Sequence, residues 1–159
     1  PESGTPSRIE LADVDGDGDA DAVVGYSHDP EQKVAWYEQI DSETWANHEI
    51  TRLTLNGPRS FAESMDVRDL DGDGDPDVIV GEYRVDFGVG EEPANLWILE
   101  NLGQGASWAQ HLVHFGDYHY QSSRAVDMDN DGDYDIIAKG WLHGQVFLYE
   151  NTCDPAGGG

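Results

Sequence analysis

The chain has 159 residues, 38% of them apolar and 26% charged, enough for one domain whose core would bury about two thirds of the unfolded surface. Its 33 acidic residues outweigh 8 basic ones, and the formal charge of −25 argues against nucleic acid or an anionic membrane as partner, because phosphate-rich surfaces would repel it. No apolar run is long enough to span a bilayer, so no membrane insertion is expected.

The start, Pro1-Glu-Ser-Gly4, lacks the basic and apolar regions of a signal peptide, and the chain reads as processed or excised. Next, Ile9 and Leu11 alternate with polar residues, as on a half-buried strand. The run from Asp13 to Asp21 follows, with an aspartate at every second position and glycines between. Then come Ala22-Val-Val-Gly25, a continuous apolar run suited to a strand covered on both faces, and Val34-Ala-Trp-Tyr-Glu38, rich in β-formers. Trp45-Ala-Asn-His-Glu-Ile50 completes a set of four strands.

The set then repeats. Met65 and Val67 precede a second acidic run, Asp69 to Asp77, followed by Val78-Ile-Val-Gly81, Leu96-Trp-Ile-Leu-Glu100 and Trp108-Ala-Gln-His-Leu-Val113. Ser123 and Ala125 precede the third acidic run, Asp127 to Asp135, then Ile136-Ile-Ala138 and Val146-Phe-Leu-Tyr-Glu150, with no fourth strand. A repeat of this length, with Gly, Pro and Asp turns and no helical period, predicts an all-β protein of three tandem antiparallel four-stranded blades of a β-propeller, the third incomplete. The repeats span approximately 7–50, 63–113 and 121–150, within a propeller region of 1–150, and 151–159 reads as a flexible tail. Its Cys153 is a lone thiol with no recognisable base beside it, which favours no catalytic role.

Five carboxylates in nine residues repel one another, and no basic residue lies within any of the three runs. A divalent cation relieves that repulsion, and a set of carboxylate and carbonyl oxygens favours Ca²⁺, about three ions with one per repeat. Side-chain ligands are expected at positions one, three, five and nine: Asp13, Asp15, Asp17 and Asp21; Asp69, Asp71, Asp73 and Asp77; Asp127, Asp129, Asp131 and Asp135. Position seven, held by Asp19, Asp75 and Asp133, is expected to offer its backbone carbonyl. Position four is Gly16, Gly72 or Asn130 and position six is Gly18, Gly74 or Gly132, types that accept the left-handed backbone of a loop curling round an ion. An EF-hand is excluded, since its bidentate Glu at position twelve is here Val24, Val80 and Ala138.

These three loops, each between strands at nearly sixty-residue spacing, resemble the FG-GAP or VCBS repeats of integrin-α-type β-propellers. The resemblance covers about residues 7 to 150. It implies a calcium-binding propeller fold, with the metal ligands on the aspartates just named. It also implies kinship with modules that accompany polysaccharide-degrading domains.

If the blades are laid out as in a propeller, the connections at 26–32, 82–93 and 140–144 and those between blades share the face opposite the acidic loops. They concentrate Tyr26, His28, Tyr83, Arg84, Tyr118, Tyr120, Trp141 and His143, residues that stack on sugar rings and bond their hydroxyls. The expected role is therefore an extracellular, calcium-stabilised module that binds carbohydrate or a glycosylated surface; the competing reading of the aromatics is packing between blades. His48 and His111, each three residues after a strand-initial tryptophan, read as structural. No nucleophile elbow or phosphate loop is present, and no acid pair is fixed, although Glu82, Asp86, Glu91 and Glu92 fall in one long connection. No enzymatic activity is expected of this chain alone. Closed propellers have four to eight blades, so the chain is expected to be part of a larger propeller or to assemble with other blades or copies of itself. In the latter case it is a structural or adhesive protein in which calcium only orders the loops.

Overall fold

The computed structural model describes residues 4–27, 33–53, 60–86, 90–91, 94–117, 119, 122–140 and 144–152. These form three antiparallel sheets, with no helix among the described residues and so none long and apolar enough to cross a membrane. The first sheet contains β1 (Thr5–Ala12), β2 (Asp21–Ser27), β3 (Lys33–Gln39) and β4 (Trp45–Arg52), paired in that order. In the second, β5 (Ser60–Arg68), β6 (Asp77–Asp86), the two-residue β7 (Gly90–Glu91), β8 (Ala94–Asn101) and β9 (Trp108–Asp117) repeat the pattern, with β7 hung on β6 outside the main path. The third holds β10 (Ser122–Val126), β11 (Asp135–Lys139) and β12 (Val146–Tyr149). Each sheet is the blade that the repeats predict.

The blades pack face to face in chain order, and strand alternation decides which residue meets which neighbour. On β6, Val78 and Val80 join the core against the first blade, while Ile79 points the other way into the core against the third. On β8, Trp97 and Leu99 face the first blade, whereas Leu96 and Ile98 face the third. The second blade is thus covered on both sides, which is why its strands read as unbroken apolar runs. Full burial of residues such as Val78, Ile79 and Val80 contributes about 1.5–3 kcal/mol each.

The outer flanks of the end blades are different. Ile9 and Leu11 on β1 are 63% and 66% exposed, and Val146 and Leu148 on β12 are exposed on the far side. Between these flanks the first strands of the three blades converge. Arg124 of β10 donates to the Glu10 carboxylate of β1 at 2.9 Å and to the Met65 carbonyl of β5 at 2.5 Å. Asp66 of β5 accepts the Ala125 N–H at 2.8 Å.

One expectation is corrected. The sequence places Tyr26, Tyr83 and Arg84 in connections that begin after Gly25 and Gly81, but β2 runs on to Ser27 and β6 to Asp86. The glycines do not end the strands; they admit the neighbouring blade. A Cβ on Gly25 would lie 2.6 Å from Met65 Sδ, and one on Gly81 would strike Ser64 and the His119 carbonyl.

Candidate metal centres

Each acidic run links the first and second strands of its blade and curls as the glycines require. Position four has φ of +76° at Gly16, +79° at Gly72 and +64° at Asn130, and position six has +98°, +100° and +102° at Gly18, Gly74 and Gly132. Such values suit Gly and, as single residues, Asn. The turn is held by its own aspartates: Asp17 N–H donates to Asp15, Gly18 N–H to Asp13 and Asp19 N–H to Asp17, all at 2.9–3.1 Å. The second loop repeats all three bonds from Asp73, Gly74 and Asp75, and the third repeats the first and last from Asp131 and Asp133.

This curl gathers carboxylate oxygens. Asp13, Asp15 and Asp17 bring one oxygen each within 4.8 Å of one another, as do Asp69, Asp71 and Asp77, and Asp127, Asp129 and Asp131. All-oxygen clusters of this kind fit a hard cation of the Ca²⁺ class. Desolvation raises the Asp15 and Asp71 carboxyls above the ordinary range against the pull of a backbone N–H, and the aspartates beside them add to the rise.

Position nine has a second role that the sequence reading missed. Asp21 is buried and accepts the N–H of Val14 at 3.0 Å and of Gln39 at 2.9 Å. Asp77 takes those of Leu70 and Asn101 at 2.9 and 2.8 Å, and Asp135 those of Met128 and Asn151 at 3.0 and 2.9 Å. One carboxylate therefore pins the start of its loop to the end of the third strand. Burial pushes Asp77 up to about 6 even though two N–H groups pull it down. The signal was present in sequence as the recurring strand ends Glu38-Gln39, Glu100-Asn101 and Glu150-Asn151.

Position seven varies between loops. Asp19 accepts from the Gln39 side chain at 2.7 Å and Asp75 from the Gln104 N–H at 3.1 Å, so the end of β3 and the turn after β8 lie on the loop face. Asp133 is only 8% exposed, and neither carboxylate oxygen has a partner among the described residues.

Tyr26 is 3% exposed, packs with Val24 and Ala35, and meets the Tyr37 hydroxyl with its own, while the Lys33 ammonium lies 5.5 Å from its ring centre. Its burial assigns that ring to packing. Tyr83 and Arg84 lie in β6, across from Phe61 and Ser60. His28, Tyr118, Tyr120, Trp141, His143 and Cys153 lie outside the described residues. Glu82 is fully buried and accepts the Trp97 indole N–H at 2.8 Å and the Asn95 N–H at 3.2 Å, a structural engagement. His48 bonds Glu38 at 2.7 Å and stacks on Trp36, and His111 bonds Glu100 at 2.5 Å, the shared strand-to-strand contact expected of them.

Consecutive blades, each with an acid-rich loop between its first and second strands, define a repeat protein of β-propeller type. Residues 13–80, from the first acidic loop through the second and into β6, match the family model described as an FG-GAP-like repeat. That is the family the sequence resembles. No curated protein matches the chain.

Proposed function

We propose that this chain is an extracellular module of propeller blades whose three acidic loops each hold one Ca²⁺ ion. The carrying observation is the threefold recurrence of an Asp triad with converging oxygens. Binding to the native loops alone stabilises the fold by RT ln(1 + [Ca²⁺]/Kd) per site, and millimolar extracellular calcium fills even modest-affinity sites. Calorimetric titration of the chelator-treated protein is expected to give about three sites, with a large fall in Tm in excess chelator. An unchanged Tm and no heat of binding would remove the reading.

The module's partner is proposed to be carbohydrate or a glycosylated surface, and the chain is proposed to have no catalysis of its own. What supports the sugar reading is the recurrence in the sequence of Tyr, Trp, His and Arg at His28, Tyr83, Arg84, Tyr118, Tyr120, Trp141 and His143, with Tyr26 left to packing. A glycan array probed with calcium-loaded protein tests it, and absence of binding sinks it. A second reading, assembly with other blades or with copies of itself, is favoured by the exposed apolar flanks at Ile9 and Leu11 and at Val146 and Leu148. A particle mass that rises with concentration in calcium supports it.

A further inference from the structure

The first two blades show what the third strand of a blade meets on its outer side. β3 pairs with β4 and β8 with β9, and in both cases a histidine from a Trp-Ala-x-His segment reaches the glutamate at the end of the third strand. In the third blade, Asn151 N–H bonds Asp135 as Gln39 bonds Asp21 and Asn101 bonds Asp77, which fixes the register and places Glu150 where Glu38 and Glu100 stand. Yet among the described residues β12 pairs with β11 alone, and Glu150 is exposed with no partner.

Two further observations fall at the same place. Asp75 takes an N–H from Gln104, in the turn between the third and fourth strands of its blade, while Asp133, at the same loop position, is buried and neither of its oxygens has a partner among the described residues. A cleft of 690 Å³ also opens between the second and third blades, walled by Ile98 and Val113 on one side and Ile136 and Tyr149 on the other. Trp36 and Ile50 are the first-blade counterparts of Ile98 and Val113. There the turn at 102–107 and Trp108 close the space, so tightly that a Cβ on Gly105 would lie 2.7 Å from the Trp36 ring.

We propose that the outer edge of β12 is a docking site for an extended polypeptide strand of another molecule, of the Trp-Ala-x-His pattern. Its backbone extends the sheet, its histidine meets Glu150 and its tryptophan fills the cleft. Strand addition of this kind takes affinity from main-chain bonds and specificity from side-chain pockets. The inference stands apart from the sugar reading and needs only folded, calcium-loaded protein.

The test uses the full chain in calcium with a labelled synthetic peptide of residues 108–115, followed by fluorescence anisotropy. Saturable binding is expected, and Glu150→Gln in the protein should weaken it about tenfold, as should His111→Ala in the peptide. Glu150 is exposed, so its variant keeps the fold, and an unchanged Tm checks this. Absence of saturable binding overturns the proposal. So does weakening by Glu100→Gln in place of Glu150→Gln, which would put the peptide in the second blade.

Discussion

The Asn101 side-chain amide donates to the Val14 carbonyl at 3.1 Å across 87 residues of sequence, joining the third strand of the second blade to the acidic loop of the first. Asn151 makes the same bond to the Leu70 carbonyl at 3.4 Å, one blade further on. Neighbouring loops are therefore coupled through the strand ends between them.

Asn101 is buried and its amide oxygen also accepts the N–H groups of Gly103 and Gly105. Asn101→Ala should cost about 3 kcal/mol, because the Val14 carbonyl and two N–H groups lose their partner at once. Urea denaturation in calcium checks the size. A loss below about 1 kcal/mol would mean that water replaces the amide without penalty.

With chelator present, the stability should fall as pH rises from about 4 to about 6. The folded Asp77 carboxyl sits at about 6 against an unfolded value near 3.8, so the folded state holds the proton more tightly across that window. Its favourable contribution is complete below the unfolded value and is lost as pH climbs through the folded one. Asp77→Asn should flatten this slope in chelator while weakening calcium binding, both readable from Tm against pH.

Gly25→Ala should destabilise by about 1–3 kcal/mol through overpacking, since the new methyl meets Met65 Sδ and Ala62. Met65→Ala in the same chain should recover part of the loss that Gly25→Ala causes. A double-mutant cycle by denaturation measures that coupling, and strict additivity would contradict the contact.

Gly72→Asn should be tolerated, because Asn130 already takes the same left-handed position in the third loop. Gly72→Val should cost about 1–2 kcal/mol more, a β-branched residue being strained at φ of +79°. Calcium titration of the two variants separates them: near-native affinity for Asn, and weakened binding for Val.

The repeat made the blades legible. Strand order, the loops between first and second strands, and the left-handed positions follow from residue spacing, because period-two alternation and the φ demands of Gly and Asn are local properties. Where strands β2 and β6 end was not legible. Gly25 and Gly81 look like terminators in isolation, and only the approach of Met65 to the one, and of the His119 carbonyl and Ser123 to the other, explains a missing side chain in mid-strand. Tyr26 was misplaced for the same reason. The duty of Asp21, Asp77 and Asp135 as pins left only an indirect trace, the recurring Glu-Gln or Glu-Asn strand ends, because their partners are backbone N–H groups, one of them far along the chain.

Because Ile79 and Val80 turn to opposite neighbours, the middle blade has no private core. Its integrity is borrowed from both sides, so damage at either end should spread inward sheet by sheet, as in a row of dominoes with nearest-neighbour coupling.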